Sequence, residues 1–371
     1  MERCILITAR KQEEFPPFGL QTFFFEELMA LNHHRHYKLK IYFADPLEQE
    51  LSNLLQGFEL INSKWIKVDF LLPEFIYDRF STPNIELYEK AECFRNFCLS
   101  QGCRFANPRP LVQLLRNKFS FHKFLERQNM VDIPSMESRH IDEQLVIHWL
   151  DKYGGVYFKP CEASNGRGII VAKKINEGII FIENGQQIFT IKEGFHEKLQ
   201  FFNRSNYIIQ PQIKYIQQVN VPFDLRVIVQ NEGLSVYKVT GSGIRVGKTG
   251  SFVSNLNAGG YGVGIEDLET LLNINLVDNN LLYLAIERKC LKIAHELHLH
   301  YGSFCEVAFD ILLDENYKPH VLEVNANPGR WLFTKIADRY DKTNKVLSEK
   351  YRKMREICVE MPLRFAVNEM K

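Results

Sequence analysis

Two acidic residues and an amide near the C-terminal end of the chain have the spacing of a metal site. The segments CEVAFDILL and HVLEVNANPG flank a polar stretch that is suited to a turn. We expect Leu313 to pair with His320 across this turn, which places Asp310 opposite Glu323. Strand alternation then puts Asn325 on the same side as Glu323.

Two carboxylates that face each other in a partly buried hairpin repel one another, and a hard cation such as Mg²⁺ removes that cost. The flanking valines, isoleucines and leucines favour a buried hairpin. The alternative is an ordinary edge hairpin with solvated acids, and a slip of one residue in register would separate the two acids.

The segment GGVYFKPCEASNGRGIIVAKK has the pattern of a strand, a loop and a strand. Lys159 alternates with Val156 and Phe158, so its ammonium group can point into a cleft while the other two pack. The loop 162–168 is small, polar and glycine-bearing, so its backbone N–H groups can approach a polyphosphate. A plain hairpin with a glycine turn is the alternative. Together with the carboxylate hairpin, this segment favours a nucleotide clamped between two β layers.

The segment GSGIRVGKTG is similar to a phosphate-binding P-loop but does not have its spacing. Ser242 stands where the first glycine of that motif is required, and the residues that follow have no helical pattern. We therefore expect no P-loop here.

Composition excludes several classes of protein. With 371 residues, 45% of them hydrophobic, the chain has enough apolar material for a core, so it is not a disordered protein. Lys and Arg number 46 against 45 Asp and Glu, so we expect neither a nucleic-acid partner nor a membrane partner. Eight cysteines without a CxxC pattern, and an N-terminal segment without the features of a secretory signal, predict reduced thiols and a cytoplasmic protein.

The predicted elements alternate between strands and helices, which indicates an α/β fold. We predict strands at 4–8, 39–43, 64–70, 207–213, 225–230, 234–240, 305–313 and 320–325, and helices near 19–31, 116–129 and 278–300. We divide the chain into an N-terminal α/β lobe (1–106), a subdomain with the glycine-rich loop (107–205), a subdomain with the metal site (206–335) and a helical tail (336–371).

Several motifs in order over about residues 107–335 resemble the ATP-grasp superfamily. Asn117-Lys118 at the start of a helix resembles its first nucleotide lysine, and Lys159 its second. The strand 207–213 is similar to the one whose backbone contacts adenine, although Pro211 stands where the family usually has an acidic residue.

Within that superfamily the chain looks closest to the endospore-coat-associated YheC/YheD-like group and is similar to the ribosomal-protein glutamate ligase type. The motifs are Asp-x-Arg-Val-x-Val-Gln from Asp224, Ile-Arg-Val-Gly from Ile244, Ser-Asn-Leu from Ser254, and Asn-Pro-Gly-Arg ending at Arg330. The implied fold is an ATP-grasp fold, with the nucleotide held between two β-containing subdomains.

The resemblance implies ATP-dependent ligation of a carboxylate to an amine through an acyl phosphate. The implied cofactors are ATP and one or two Mg²⁺ ions, with Mn²⁺ as an alternative. It assigns catalytic roles to Arg226, Arg245 and Arg330, metal ligation to Asp310, Glu323 and Asn325, and nucleotide contacts to Lys118, Lys159, Glu162, Asn165, Gly166, Arg167, Gly168, Gln210, Pro211, Gln212, Ile213 and Asn255.

The implied partners are a small carboxylate, either an amino acid or a peptide, and an amine nucleophile. A homodimer is expected by analogy alone. Two other functions stay open: a non-catalytic, ATP-binding, spore-associated assembly protein, and a phosphotransferase on the same scaffold.

Overall fold

The computed structural model describes residues 3–14, 16–163, 167–176, 178–183, 186–191, 199, 202, 206–213, 221–248, 254, 256, 259–272 and 279–371. The described strands are β1 (Arg3–Thr8), β2 (Leu39–Ala44), β3 (Leu54–Ile61), β4 (Lys64–Leu71), β5 (Phe75–Asp78), β6 (Arg104–Phe105), β7 (Met136–Glu137), β8 (Gly155–Pro160), β9 (Ile170–Ile175), β10 (Gly178–Glu183), β11 (Gln186–Ile191), β12 (Tyr207–Pro211), β13 (Phe223–Asn231), β14 (Tyr237–Val246), β15 (Tyr261–Val263), β16 (Glu306–Leu313) and β17 (Pro319–Asn325). The described α-helices are α1 (Gln21–His34), α2 (Ile85–Ser100), α3 (Arg109–Arg116), α4 (Lys118–Arg127), α5 (Glu143–Tyr153), α6 (Leu268–Leu272), α7 (Asn279–Tyr301), α8 (Trp331–Tyr340) and α9 (Lys345–Glu369). None of these helices is long and apolar enough to cross a membrane. The predicted α/β fold class is confirmed.

The first sheet has the strand order β4-β3-β2-β1-β5-β6, with β1 parallel to both β2 and β5. Ile5 and Ile7 of β1 pack in one core with α1 and α9, whereas Leu6 packs on the opposite face with α2. A parallel strand that is covered on both faces needs a continuous apolar run, as β1 has. Strands β3 and β5 were not among the predicted elements. β5 has only four residues, too few for a periodic signal.

The second sheet has the order β11-β10-β9-β8-β12-β7, and its paired strands are antiparallel. Helix α5 packs Trp149 and Leu150 against Val156 and Phe158 of β8. Because β12 pairs with β8, the predicted adenine strand lies in the same sheet as the strand before the glycine loop. We propose that this subdomain extends to the end of β12, beyond the boundary predicted at residue 205.

The third sheet has the order β15-β14-β13-β16-β17 and is antiparallel throughout. Odd-numbered side chains of β13 and β16, such as Val227 and Phe309, pack in a core with α3, α4 and α7. The alternate residues Ile228 and Ala308 pack on the opposite face with α8 and α9. This second face continues along the same strands into the polar residues of the candidate site.

The helix predicted over 116–129 is α4 in the structure, and a separate helix that was not predicted, α3, precedes it. Asn117 has extended backbone angles (φ −102°, ψ 109°) and ends α3. Its side chain accepts a hydrogen bond from the Ser120 N–H, so it also caps α4. The break therefore places Lys118 at the first position of α4.

Two glycines of β14 allow α8 to approach the third sheet. A Cβ atom on Gly241 would lie 2.4 Å from Phe333 Cζ and 3.0 Å from Cys358 Sγ. A Cβ atom on Gly243 would lie 2.6 Å from Ile336 Cδ1. Side chains at these positions would push α8 away from the sheet.

We predict that Gly241→Ala lowers the free energy of unfolding by about 1–3 kcal/mol, because the added methyl group overfills a packed interface. Urea denaturation followed by tryptophan fluorescence measures this change. Gly329→Ala is the control, because a Cβ atom there has no heavy atom within 4 Å. Equal unfolding free energies for Gly241→Ala and the wild type would contradict the close packing.

Candidate functional site

Residues of all three sheets line a cavity of about 740 Å³. Of the described residues that line it, eight are cationic and five are anionic, so the cavity has three more positive than negative side chains. The cationic residues are Arg95, Arg109, Arg116, Lys118, Lys159, Arg167, Arg226 and Arg245, and the anionic residues are Asp78, Glu162, Asp224, Asp310 and Glu323. This excess of positive charge favours an anionic ligand.

The predicted carboxylate pair lies in the β16–β17 hairpin. Asp310 pairs with Glu323, as predicted from the sequence. The predicted pairing of Leu313 with His320 is wrong, because Leu313 pairs with Pro319.

A one-residue shift between Asp310 and Ile311 reconciles the two registers. Asp314 accepts hydrogen bonds from the N–H groups of Asn316 and Lys318 at 2.9 Å, which tightens the turn and lets pairing begin at Pro319. A β-bulge then absorbs the extra residue before Glu323.

Asp310 is 3% exposed, and two guanidinium groups neutralise it. Arg226, its cross-strand partner on β13, donates from Nε to Oδ1 and from Nη2 to Oδ2 at 3.0 Å. Arg245 lies 2.8 Å from Oδ2 through Nη2. Burial disfavours the charged carboxylate, but Arg226 and Arg245 outweigh it and lower the pKa of Asp310 to about 2.

Asn325 completes the predicted metal set. Its amide nitrogen lies 3.5 Å from Asp310 Oδ2 and 3.4 Å from Glu323 Oε1. The three side chains supply carboxylate and amide oxygens, the donors that Mg²⁺ prefers, so the residues fit a hard cation. In the structure, cationic side chains of the protein contact both acids where a metal ion would bind. Arg226 and Arg245 contact Asp310, and Lys118 Nζ lies 3.5 Å from Glu323.

The two predicted nucleotide lysines line the same cavity. Lys118 donates to the carbonyl oxygen of Ala163, at the start of the glycine-rich loop. Lys159 donates to Gln210 Oε1 at 2.9 Å. Burial lowers the pKa of Lys159 to about 8; the Glu323 carboxylate opposes this shift, and Lys118 adds to it. Lys159 is therefore a buried cation with little anionic compensation.

Part of the glycine-rich loop is described. Glu162 lies 3.3 Å from Arg116 Nε, and both it and Arg167 line the cavity. Gly168 has φ +70°, a left-handed conformation that favours glycine. Asn165, Gly166 and, elsewhere in the chain, Asn255 lie outside the described residues.

The predicted adenine strand contributes Gln210, Pro211 and Ile213 to the cavity wall. Pro211 has no N–H group, so only its carbonyl oxygen can accept a hydrogen bond there. Gln212 points elsewhere: its N–H donates to Gly155 O at 2.8 Å, and its side chain packs over Gly155.

The structure does not bring Arg330 to the cavity wall. Arg330 is 4% exposed, and its guanidinium donates to Glu306, to the Tyr77 hydroxyl at 3.3 Å, and to backbone carbonyls of Pro328 and Cys358. Burial disfavours the charged form, but Glu306 outweighs it and raises the pKa of Arg330.

Two acids of the third sheet were not assigned a role from the sequence. Asp224 accepts from Arg245 Nε at 2.7 Å and from the Ser254 hydroxyl, and burial raises its pKa. Glu306 is fully buried and accepts a hydrogen bond of 2.6 Å from the Tyr77 hydroxyl. Asp224 and Glu306 both stand within apolar strands. This position is the sequence signal that could have identified them, because a charged side chain that is buried in a strand needs a partner of opposite charge.

A family model described as YheC/D-like ATP-grasp matches residues 105–353. The chain is 24% identical over 335 residues to the endospore coat-associated protein YheD of Bacillus subtilis (strain 168), covering 86% of this chain and 70% of YheD. It is 20% identical over 279 residues to the endospore coat-associated protein YheC of the same organism, covering 72% of this chain and 74% of YheC.

Solved structures share the fold at low sequence identity. The D-alanine-D-alanine ligase from Coxiella burnetii has a TM-score of 0.53 and 9% identity, covering 99% of this chain and 96% of the ligase. D-cycloserine synthetase DcsG has a TM-score of 0.53 and 13% identity, and the match covers 94% of this chain and 99% of the synthetase. The ATP-grasp ligase PsnB, solved with minimal precursor, Mg and ADP, has a TM-score of 0.51 and 11% identity. The match covers 94% of this chain and 98% of PsnB.

We predict that Asp310→Ala lowers the free energy of unfolding by about 3–5 kcal/mol, because it removes the buried counter-charge of Arg226 and one of the two buried counter-charges of Arg245. Glu323→Ala should cost about 1 kcal/mol or less, because the Glu323 side chain is 29% exposed. Urea denaturation near neutral pH measures both changes. Equal losses of unfolding free energy for the two variants would contradict the view that Asp310 is buried and paired whereas Glu323 is partly exposed.

Proposed function

Since the chain belongs to the YheC/D-like ATP-grasp family, we propose that it is an ATP-dependent carboxylate–amine ligase. The family and the ATP-grasp fold predicted from the sequence are confirmed. In the proposed reaction, ATP first phosphorylates a carboxylate, which gives an acyl phosphate and ADP. An amine then attacks the acyl phosphate, which forms an amide and releases phosphate. The observation that carries the proposal is one cavity in which two lysines and two arginines surround the Asp310–Glu323 pair.

Asp310, Glu323 and Asn325 would hold Mg²⁺ or Mn²⁺ in this proposal. When bound, the ion would neutralise negative charge on the phosphates of the nucleotide. The acids would then exchange their protein cations for the metal.

The remaining residues of the cavity would bind and orient the nucleotide. Lys118 and Lys159 would neutralise the α- and β-phosphates, and Arg226 and Arg245 would face the transferred phosphoryl group. Fixed cations in a cavity closed to water stabilise developing charge more strongly than solvent does. The glycine-rich loop (Glu162, Asn165, Gly166, Arg167, Gly168) would cover the phosphates, the strand residues Gln210, Pro211, Gln212 and Ile213 would contact adenine, and Asn255 would complete the nucleotide site.

The resemblance gave Arg330 a catalytic role, in which its guanidinium would hold a substrate carboxylate. Its guanidinium is bonded to Glu306, Tyr77 and backbone carbonyls, so we propose that it fixes the turn before α8 instead. The substrate carboxylate would then bind elsewhere in the cavity, on arginines that line it.

The substrate class we propose is a small amino acid or peptide with a free carboxylate, together with an amine. The names of the solved neighbours, a D-alanine-D-alanine ligase and a D-cycloserine synthetase, support this class. The relatives named endospore coat-associated favour a second candidate, an ATP-binding assembly protein that does not turn over. We propose a cytoplasmic location, with spore association if the second candidate holds.

ADP release from Mg·ATP, assayed against a panel of amino acids and small peptides, tests the proposal. We expect ADP and phosphate whose release requires both an acid and an amine. Tight ATP binding without turnover across the panel would favour the assembly protein, and a stable phosphorylated product would favour a phosphotransferase.

Two variants on the same hairpin sharpen this test. Glu323→Gln should reduce ADP release by about 100-fold or more, because it removes a ligand charge from the proposed metal site. Glu315→Gln, at the exposed tip of the hairpin, should leave ADP release unchanged. Near wild-type turnover in Glu323→Gln would overturn the metal assignment.

The depressed pKa of Lys159 predicts that nucleotide binding takes up protons. With a pKa of about 8, Lys159 is partly neutral above that pH, and phosphate contact would restore its charge. Nucleotide affinity should therefore fall as pH rises through 8, by up to about tenfold per unit. Calorimetry near pH 8.5 in buffers of different ionisation enthalpy measures the uptake.

Lys159→Arg is the matched control, because arginine stays charged at this pH. It should bind nucleotide with little proton uptake. The same uptake in Lys159→Arg as in the wild type would exclude Lys159 as its source.

A further inference from the structure

Two arginines meet on the Asp310 carboxylate, but they are held differently. Arg226 donates to Asp310 from both Nε and Nη2, and among the residues that the structure describes these bonds hold its guanidinium. Arg245 contacts Asp310 through Nη2 at 2.8 Å, while its Nε donates to Asp224 at 2.7 Å. Loss of Asp310 as a partner would therefore free Arg226 and leave Arg245 attached at one end.

Asp224 is well placed to be that attachment. It is the cross-strand partner of Arg245 in the β13–β14 ladder and is 6% exposed. Its second carboxylate oxygen accepts from the Ser254 hydroxyl. One oxygen thus holds Arg245 while the other accepts from Ser254, so the carboxylate has little freedom to turn.

We propose that Asp224 is a positioning residue that keeps Arg245 in the cavity when a divalent cation takes Asp310, and that Arg226 is the cation released. This inference rests on the proposed function, because the freed Nη2 of Arg245 would then face the terminal phosphate of the nucleotide. Arg226 is the barrier that a metal ion must displace, so metal binding without nucleotide is weak.

The metal step is tested with Mn²⁺ alone, by the loss of its free-ion electron paramagnetic resonance signal. Arg226→Gln should bind Mn²⁺ about tenfold or more tightly than the wild type in the absence of nucleotide, because it uncovers Asp310. Arg116→Gln removes a cation from the same cavity but not from Asp310, and it should tighten Mn²⁺ binding less than about twofold. Equal Mn²⁺ affinities in Arg226→Gln and the wild type would overturn the release of Arg226.

The anchoring step is tested by comparing ADP with the imidodiphosphate analogue of ATP in the presence of Mg²⁺. In Asp224→Asn, the affinity for the analogue should fall about tenfold, and the affinity for ADP should change less than about threefold. Arg245→Gln should show the same selective loss, and the double variant should lose no more than either single variant, because both act through one contact. Additive losses, or equal losses for both nucleotides, would overturn the anchoring role.

ADP binding by Asp224→Asn also reports whether that variant is folded. If it binds no ADP, Ser254→Ala serves as the second variant, since it loosens Asp224 without removing a charge. We expect an analogue-selective loss of about two- to threefold there, and the absence of selectivity would overturn the proposal. A wild type that binds neither nucleotide overturns the proposed function and this inference together, whereas a wild type that binds both with unaffected variants overturns this inference alone.

Discussion

A buried carboxylate must be matched by positive charge, and one face of the third sheet meets this requirement with a line of four side chains. Asp224, Arg245, Asp310 and Arg226 alternate in sign across β14, β13 and β16. Removing any one member leaves a neighbour charged and buried, which is far more costly than losing an exposed ion pair. The order of the strands is therefore what makes the cavity possible, because β13 must lie between the strands that carry Arg245 and Asp310.

The same face of this sheet changes character along its length. At one end Glu306 and Gln230 bond to each other within a polar network that reaches Tyr77 of the first sheet. Ile228 and Ala308 then pack against α8 and α9. The strands next reach the cavity, where they carry the line of four charged side chains described above. Because side chains alternate along a β-strand, the polar network, the packing against α8 and α9 and the charged residues of the cavity all lie on one face of the sheet. The other face stays apolar.

The parts of the site that depend on local chemistry could be predicted from the sequence. The pairing of Asp310 with Glu323 follows from a turn and from alternation, and it survives a bulge that alternation alone does not reveal. Asn117-Lys118 was expected at the start of a helix, and Asn117 caps α4 there, but the separate helix α3 that ends just before it was not predicted. The break between the two helices depends on backbone angles that periodicity does not specify.

The parts that depend on distant partners could not be predicted in this way. Arg330 follows an Asn-Pro-Gly motif that suggests a ligand site, yet its partners come from Tyr77, Glu306 and Cys358 in three separate elements. Asp224 is likewise defined by Arg245 and by Ser254, which is not its neighbour along the chain. The roles of Lys159 and of the glycine-rich loop came from the residue pattern, those of the other nucleotide residues came from resemblance, and all of them stay predictions.

Helix α9 extends past the segment that the family model matches, which ends at residue 353. Val359, Leu363 and Phe365 lie beyond that point and are buried in the core of the first sheet, while Cys358 is buried against the third. A fragment cut to the borders of the family model would expose two hydrophobic interiors at once. Helix α9 thus packs against both the first and the third sheet, and a fragment of either without it would leave that core exposed to solvent.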